Sequence, residues 1–455
     1  MAGMAAAASS LGRSGALEIT RRLAAICGPP FSRLAGPADE VAGRPARWVA
    51  VPGGPHAAAE VLRLAAVHDL TVVPRGAGTK IDWGATPVQV DILLDTGRLA
   101  GIGHEPVDAL VTDVGAGTPL RAVQATLERT GQRLAMDAPS PGATLGGVLA
   151  AGEAGPLRHR HGSPCDQLLG VRYLAADGEL ISVGGGAPGL DLARLLCGSQ
   201  GALGVLVSAS LRVQPVPASR LWVSRPVWTP LEVHDLVRTI LDARLEPSAI
   251  ELDLPGGTPR PRAPYPPGHP AATARERHPS MSGRAGAPSR AGSLVVLLEG
   301  GPADVTERAE RLVGLLHGEA TIAHSAPTWW RRYPFAPGDT ALRLEVPIGD
   351  LHAAVYALRD AAGSPVPVRG SAGLGVVHAA LPGALAADRV ASILAAVRGV
   401  LLARQGRCVV VSAPAAVRQA VDLWGELAGL AQLRAAKRHL DPEHRLAPGR
   451  LPGGL

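Results

Sequence analysis

The sequence predicts an α+β protein, because short apolar strands alternate with amphipathic helices and many strands end at glycine-rich turns. A chain of 455 residues is too long for one ordinary hydrophobic core, so we expect two domains. The segment Pro215-Val-Pro217 ends a long apolar strand, and we place the domain boundary there. The predicted parts are an N-terminal tail and helix (1–44), a first domain (45–217), a second domain (218–415) and a C-terminal helix and tail (416–455).

The first domain contains helical and strand patterns in alternation. Ala58, Val61, Leu62 and Ala65 repeat at helical spacing and predict a helix over 57–68. Asp177-Gly178 between two apolar runs predicts a hairpin, because such a turn needs positive φ. The remaining predicted elements are helices at 17–26 and 119–129 and strands at 70–73, 92–94, 110–114, 171–174, 180–183 and 203–213.

The second domain contains two similar rounds of strands and helices. The first round has strands at 221–227, 249–254 and 293–299 with helices at 231–244 and 304–317. The second has strands at 341–346, 375–381 and 407–411 with helices at 350–362 and 387–405, and a last helix is expected at 417–439. Two such rounds are typical of a ferredoxin-like fold. Residues 255–292 are rich in Pro, Gly, Arg and Ser and nearly lack aliphatic side chains, so we predict a disordered insertion there.

Composition and charge exclude several classes of protein. A net charge of +6 without a long basic run argues against nucleic-acid binding. The four cysteines form no C-x-x-C pair, which argues against a zinc site, an iron–sulfur cluster and a disulfide scaffold, and fits a reducing cytoplasm. No apolar stretch approaches the ~18 residues of a membrane span. Met1–Gly28 is rich in Ala, Ser and Arg, which suits either an irregular start to a helix or a transit peptide.

The most informative stretch is Pro74-Arg-Gly-Ala-Gly-Thr79, which directly follows the strand predicted at 70–73. Glycine removes Cβ atoms and accepts positive φ, so the backbone N–H groups of such a loop can converge on an anion. Three further glycine-rich segments follow at 114–117, 139–147 and 198–204. Together they predict one long, diphosphate-bearing ligand held by several loops.

Other phosphate and catalytic motifs do not fit these residues. A Rossmann fingerprint needs a third glycine where Ile81 stands. A Walker A loop needs Ser or Thr after its lysine, whereas Ile81 follows Lys80. The nucleophile elbow G-x-S-x-G is absent from the sequence. The loop is therefore a phosphate cradle of another kind.

Four segments together resemble the FAD-binding domain of the vanillyl-alcohol oxidase / p-cresol methylhydroxylase (PCMH) superfamily: Arg75–Thr79, Pro139–Gly147, Ala176-Asp-Gly178 and Gly198–Val205. Within it, the chain is most similar to the FAD-binding subunit of bacterial glycolate oxidase. That likeness is carried by Gly155-Pro-Leu-Arg158, Asp166–Val171, Asp191–Leu195 and the tail Leu440-Asp-Pro442…Ala447-Pro-Gly-Arg450. The resemblance implies a PCMH-type FAD-binding domain of two subdomains followed by a ferredoxin-like cap domain.

The resemblance also implies how FAD is bound. The loop at 74–79 would hold the diphosphate through backbone amides, with Arg75 bracing the loop. We expect FAD to be non-covalent, because relatives that tether the ring from this loop use a histidine where this chain has Thr79; a tether from Cys165 is the open alternative. Core packing is the alternative role for Leu203 and Val205. The implied cofactor-binding residues are Pro74, Arg75, Gly76, Ala77, Gly78, Thr79, Pro139, Ser140, Gly142, Ala143, Thr144, Gly146, Gly147, Gly201 and Val205.

The catalytic residues are less clearly marked. Oxidation of a 2-hydroxy acid needs an arginine for the carboxylate and a base for the hydroxyl proton. The candidates are Arg158, His159, Arg160 and His161 in the first domain and Arg331, Arg332, Arg369 and His378 in the second, with Arg158, His161 and His378 as the first choices. A solvated or core-satisfied histidine is the alternative for His378. His159-x-His161 would share one face of a strand as a metal pair, but no carboxylate partner follows, so we expect no metal site. Residues 184–191 lack the Lys, Asn and Tyr that glycolate-oxidase-like chains carry there.

The implied function is FAD-dependent oxidation of a small 2-hydroxy acid or alcohol, such as glycolate or lactate. The chain would act alone or as one subunit of a dehydrogenase that includes an iron–sulfur electron-transfer subunit and a sister flavin subunit. It would lie in the cytoplasm or at the periphery of the inner membrane through that complex. The alternatives are a flavin-binding but catalytically inactive subunit that supports a sister oxidase chain, and a sugar-nucleotide or phosphometabolite binder.

Overall fold

The structure is a computed structural model that describes residues 13–104, 110–184, 192–256 and 291–455. It divides into two compact units. The first contains Met1–Ala218, Trp330–Arg332 and Val410–Leu455, and the second contains Ser219–Trp329 and Tyr333–Val409. The disordered insertion predicted at 255–292 falls almost wholly outside the described residues. Helices and sheets occur in both units, and the predicted α+β class is confirmed.

The first unit carries six helices and thirteen strands among its described residues before the boundary at Ala218. The helices are α1 (Arg13–Cys27), α2 (Pro55–Val67), α3 (Leu120–Glu128), α4 (Leu145–Ala151), α5 (Arg158–His161) and α6 (Leu192–Leu196). The strands are β1 (Ser32–Leu34), β2 (Glu40–Val41), β3 (Arg44–Pro45), β4 (Trp48–Ala50), β5 (Val72–Arg75), β6 (Ile92–Asp95), β7 (Ile102–His104), β8 (Val111–Gly115), β9 (Gln132–Arg133), β10 (Leu168–Leu174), β11 (Leu180–Gly184), β12 (Val205–Arg212) and β13 (Gln214–Pro215).

A four-stranded sheet in the order β1-β4-β6-β5 separates two hydrophobic clusters of this unit. Strands β4 and β5 run parallel to β6. Because successive side chains of a strand point to opposite faces, Ile92 and Leu94 pack with α2 on one side while Leu93 joins the other cluster. The sheet is therefore buried on both faces, and the loop that follows β5 leaves it at its edge.

A second, five-stranded antiparallel sheet has the order β11-β10-β12-β8-β7. The strands predicted at 92–94 and 110–114 lie in two different sheets of this unit, since β6 pairs with the parallel strands β4 and β5 and β8 pairs with β12 and β7. The predicted hairpin joins β10 to β11, with Leu174 opposite Leu180. Its Gly178 has φ +82°, and the Asp177 carboxylate accepts from the Glu179 N–H at 2.9 Å.

The second unit begins at β14, and its described residues form one large sheet with four helices. Its strands are β14 (Ser219–Val227), β15 (Ala249–Leu254), β16 (Gly292–Gly300), β17 (Thr321–Ala323), β18 (Thr340–Glu345), β19 (Val368–Ser371), β20 (Val376–Leu381) and β21 (Arg407–Ser412). Its helices are α7 (Pro230–Asp242), α8 (Pro302–Leu316), α9 (Leu351–Ala362) and α10 (Ala387–Leu402). The last strand runs across the unit boundary at Val409.

The strand order β17-β14-β16-β15-β19-β20-β18-β21 contains the ferredoxin-like pattern twice. In each half, four strands and two helices follow one another as β-α-β-β-α-β, and the fourth strand lies beside the first. The halves join through β15 and β19, which pair antiparallel with Leu252 opposite Gly370. The sequence predicts both rounds of this architecture but misses the short strands β17 and β19.

The prediction of one helix over 417–439 is wrong. The chain forms α11 (Ala415–Ala420) and α12 (Leu430–Leu440) with a turn between them. The Asp422 carboxylate accepts from the N–H groups of Trp424 and Gly425 at 3.0 Å each, and Gly425 has φ +70°. This Asx turn offers the backbone an alternative to the helix and interrupts it. Across the described ranges, none of the helices is both long and apolar enough to cross a membrane.

Candidate functional site

A cavity of about 870 Å³, its open mouth included, lies in the first unit. Three segments form it: the loop after β5, the first turns of α4, and the turn that precedes β12. The lining residues are Val73, Pro74, Arg75, Gly76, Ala77, Gly78, Thr79, Lys80, Ile81, Trp83, Thr96, Ala116, Thr144, Gly146, Gly147, Ala150, Ala151, Gln200, Gly201, Gly204, Leu206 and Arg450. A cavity of this size accommodates a cofactor-sized ligand.

The loop after β5 approaches its neighbours closely at Gly76, where the residue has no side chain. A Cβ on Gly76 would overlap the hydroxyl oxygen of Thr144, and Gly78 has φ +73°. The Arg75 guanidinium pairs with the carboxylates of Asp39 at 3.1 Å and Asp95 at 3.0 Å. Arg75 therefore holds the loop in place through two ion pairs. The loop residues, including both glycines, form much of the cavity wall.

Thr144 begins α4 as its N-cap residue, with its hydroxyl accepting from the Gly147 N–H at 3.3 Å. Gly146 lies on the Ala116 backbone, where an added Cβ would stand 2.9 Å from the Ala116 carbonyl oxygen. Thr144, Gly146 and Gly147 all line the cavity. The glycines of this segment thus allow the first turn of α4 to pack directly on β8 and its following loop.

The turn before β12 closes another side of the cavity. Gly201 has φ +76°, and a Cβ there would overlap the ring of Pro74. Val205 and Leu206 point to opposite sides of β12. Leu206 lines the cavity, whereas Val205 is 1% exposed and packs in the cluster that holds Ile92.

The structure brings most of the predicted cofactor-binding residues together. Ten of them line the cavity: Pro74, Arg75, Gly76, Ala77, Gly78, Thr79, Thr144, Gly146, Gly147 and Gly201. Five others do not line it: Pro139, Ser140, Gly142, Ala143 and Val205. Ala143 is buried in the core. Ser140 is not part of the cavity lining, and its N–H donates to Glu153 at 2.9 Å.

Lys80 is a cavity residue that the motif analysis does not predict. Its ammonium donates to Glu153 at 2.7 Å and to the hydroxyl of Ser140, and it lies 4.2 Å from the ring centroid of Trp83. Burial lowers the pKa of Lys80, and the Glu153 carboxylate opposes that change. Lys80 therefore connects the loop after β5 to the segments on both sides of α4, through Ser140 before the helix and Glu153 after it. The sequence offers one sign that Lys80 is a special residue, because it is one of two lysines in a chain whose other basic side chains are arginine and histidine.

The C-terminal tail contributes to the same region from far along the sequence. Leu446 forms a bridge to Val72, and the Ala447 N–H donates to the Val72 carbonyl at 2.9 Å. The buried Lys437 ammonium donates to the carbonyl of Ala202 at 2.8 Å and to the carboxylate of Asp441 at 2.6 Å. The tail thereby holds both β5 and the turn at Gly201.

The candidates Arg158 and His161 lie on α5, outside the set of residues that lines the cavity. His159 and His161 stand in one helical turn rather than on a strand, and residues two apart on a helix do not face each other. Burial lowers the pKa of His159. Within the residues that the structure describes, no group of three or more potential metal ligands occurs. Most of the altered segment at 184–191 falls outside those residues.

In the second unit, His378 on β20 lies directly opposite Arg369 on β19. The Arg369 side chain pairs with the Asp253 carboxylate at 2.8 Å and donates to the Tyr333 carbonyl at 3.0 Å. The Tyr333 ring meets the edge of the His378 ring at 4.8 Å and stacks on Phe335 at 4.9 Å. This cluster combines a guanidinium, an imidazole and aromatic surface. Arg369 is one of the second-domain candidates predicted from the sequence, although it is not one of the three first choices.

A pH-dependent contribution to stability is expected at Asp39. Hydrogen bonds from Arg33, the Gly36 N–H and Arg75 hold the pKa of this carboxyl well below its usual range, with the Arg33 contact the largest cause. The folded protein therefore binds fewer protons in acid than the unfolded chain. The stabilisation is complete above the ordinary pKa near 4 and is lost as the pH falls through the lowered pKa of the folded state.

We therefore expect Asp39→Asn to destabilise the protein by about 1–3 kcal/mol at pH 7 and by progressively less below pH 4. Thermal unfolding midpoints of the wild type and the variant across this range measure the effect. Glu60→Gln, at a partly exposed ion pair, is the control and should change little. If the unfolding midpoints of the wild type and Asp39→Asn differ by the same amount at pH 3 and pH 7, the ionised Asp39 carboxylate does not make this pH-dependent contribution to stability.

Comparison with known proteins identifies the region around the cavity. Residues 46–207 match the FAD binding domain family. The chain is 36% identical over 155 residues to the glycolate oxidase subunit GlcE of Escherichia coli, covering 33% of this chain and 43% of that protein. It is 29% identical over 213 residues to the D-lactate dehydrogenase of Archaeoglobus fulgidus, covering 45% and 46%. The chain spans less than half the length of these curated relatives.

The fold is similar to that of a solved p-cresol methylhydroxylase structure, with a TM-score of 0.69 at 14% identity, covering 97% of both chains. These similarities confirm the predicted resemblance, the PCMH-type fold and FAD as the cofactor of the domain.

Proposed function

We propose that this chain, whose residues 46–207 form an FAD-binding domain, is an FAD-dependent oxidoreductase that oxidises small 2-hydroxy acids. Two relatives support the substrate class by their names, a glycolate oxidase subunit and a D-lactate dehydrogenase. The observation that carries the proposal is the pairing of Arg369 with His378 on adjacent strands, because it supplies the two groups that a 2-hydroxy acid requires.

The cavity of the first unit fits FAD. Its wall at Gly76 and Gly201 has no room for a Cβ, because the Thr144 hydroxyl and the Pro74 ring pack directly against the glycine backbone there. Two buried polar atoms in the same cavity, Oε1 of Gln200 and Nε of Arg450, have no hydrogen-bond partner within the described part of the chain. We expect the ligand to satisfy such atoms. We propose that FAD is held without a covalent bond, because the loop at 74–79 carries Thr79 and no histidine.

When bound, FAD would supply the redox chemistry, which is removal of a hydride equivalent from the carbon that bears the hydroxyl group. The protein then has to bind the carboxylate and take the hydroxyl proton. A guanidinium suits the first task because it binds a carboxylate with two parallel hydrogen bonds. We assign this task to Arg369, which Asp253 holds in one orientation at 2.8 Å. His378 accepts the proton.

We further propose that the protein works as one subunit of a larger dehydrogenase, as the subunit name of its Escherichia coli relative suggests. The sequence has no C-x-x-C motif, so electrons would pass to an iron–sulfur subunit rather than to a cluster in this chain. A sister flavin subunit completes the assembly, which lies in the cytoplasm or at the periphery of the inner membrane. Pull-down of the tagged chain from its native cells tests this composition.

An absorbance scan of the purified chain, followed by anaerobic addition of glycolate or D-lactate, tests the proposed activity. Loss of the yellow flavin absorbance with either acid supports an active site of the chain's own. A spectrum that stays oxidised with a panel of 2-hydroxy acids favours the catalytically inactive flavin-binding subunit instead. Absence of flavin, even after reconstitution with FAD, contradicts both.

Replacing His378 with glutamine should slow anaerobic flavin reduction by about 10²–10⁴-fold, because a positioned base contributes an effect of this size. Rapid-mixing absorbance measures the rate, and bound flavin per chain should stay at the wild-type level. His324→Gln, at an exposed histidine of the same unit, is the matched control and should reduce at the wild-type rate. Unchanged reduction in His378→Gln would remove this residue from the mechanism.

A further inference from the structure

Arg450 is a buried cation at the end of the C-terminal tail. The residue is 4% exposed and lines the cavity of the first unit. One of its terminal nitrogens, Nη1, donates to the Ile81 carbonyl at 2.9 Å. Among the residues that the structure describes, its buried Nε has no hydrogen-bond partner and no carboxylate forms an ion pair with the guanidinium. Arg450 thus differs from the other cations of the cavity, since Arg75 pairs with two carboxylates and Lys80 with one.

The surroundings of Arg450 do not compensate its charge. Burial and, to a lesser degree, the nearby positive charge of Arg418 lower the pKa of Arg450 to about 10, and the charge of Asp82 opposes both. Arg418 directs its own guanidinium to the carbonyls of Ala42 and Ala413. Burying a guanidinium without a counter-ion is unfavourable unless a ligand supplies the negative charge.

We infer that Arg450 is an anion-binding residue of the cavity, where its guanidinium donates to an oxyanion of the bound ligand. The chemistry fits two sources, the diphosphate of FAD and the carboxylate of a 2-hydroxy acid. This inference rests on the proposed function in one respect, because the proposed function is what names FAD and a 2-hydroxy acid as the two ligands. The tail that places Arg450 is anchored to β5 through Val72, so the residue is held beside the loop at 75–79.

Equilibrium binding of FAD, ADP, riboflavin and oxalate to the purified chain and to Arg450→Met tests the inference. Flavin fluorescence reports FAD and riboflavin, calorimetry reports ADP, and the oxidised flavin spectrum reports oxalate. If the anion is the diphosphate, FAD and ADP bind about 10–100-fold more weakly to the variant while riboflavin is unaffected. If it is a carboxylate, oxalate alone binds more weakly by that factor.

Arg438→Met, at an exposed arginine of α12, is the matched control and should bind all four ligands as the wild type does. Wild-type affinities of Arg450→Met for FAD, ADP and oxalate would overturn the inference. Because none of these measurements needs turnover, they stay informative if no 2-hydroxy acid reduces the flavin. If Arg450→Met does not fold, Arg450→Lys is tested in its place, because it keeps the positive charge but lacks the planar guanidinium that can donate two parallel hydrogen bonds. Weaker binding of either anion by this variant supports the inference, and unchanged binding of both overturns it.

Discussion

Replacing Gly201 with alanine is expected to abolish retention of FAD by the purified protein. Gly201 has φ +76°, a conformation that costs a residue with a Cβ about 1–2 kcal/mol. The added methyl group would also overlap the ring of Pro74, which is rigid and belongs to the neighbouring cavity loop. The two loops would have to separate, and the backbone surface between them would lose its shape. Flavin absorbance per chain after gel filtration measures the loss.

Gly198 provides a matched control three residues earlier. It also has φ +76°, but an added Cβ there would meet no atom within 4 Å. Gly198→Ala therefore introduces the same backbone strain without the collision, and we expect it to keep most of its flavin. If Gly201→Ala purifies with a full complement of FAD, the contact between Gly201 and Pro74 does not shape the cofactor site. Loss of flavin in both variants would show that strain in the turn is sufficient.

The contrast between these two glycines illustrates how far the sequence predicts the site. Glycine spacing predicts the loops at 74–79, 139–147 and 198–204, because the absence of a Cβ is a local property. The sequence does not say which glycine lies against another loop. Val205 and Leu206 differ by one position on β12, and only the pleat of the folded sheet decides that Leu206 lines the cavity.

Residues that reach the site from elsewhere in the chain are harder to predict. Arg450 lines the cavity because the tail pairs with Val72, a contact between residues far apart in sequence. The two ferredoxin-like rounds were predictable because each long strand or helix carries its own periodicity. Strand β19 was not, since Val368-Arg-Gly-Ser371 is short and mostly polar and its pairing depends on β15 and β20.

Replacing Lys437 with methionine is expected to destabilise the first unit by about 3–5 kcal/mol, the usual effect of removing one partner from a buried ion pair. Lys437 and Asp441 both have 0% exposed side chains. The ammonium donates to Asp441 at 2.6 Å, to the Ala202 carbonyl at 2.8 Å and to the Leu446 carbonyl at 2.7 Å. Without it, the Asp441 carboxylate would remain buried with only backbone donors.

The thermal midpoint of Lys437→Met should therefore fall by roughly 10 °C. Flavin content should also decrease, because the Ala202 carbonyl next to Gly201 loses its donor. The double variant Lys437→Met/Asp441→Asn removes both charges and should recover part of the midpoint, since the residual carboxylate causes much of the damage. If the decrease in thermal midpoint of the double variant equals the sum of the decreases of the two single variants, Lys437 acts through its carbonyl contacts rather than through the ion pair. Recovery of stability without recovery of flavin would separate the two roles, leaving the charge pair as the support of the tail and the Ala202 contact as the support of the cofactor turn.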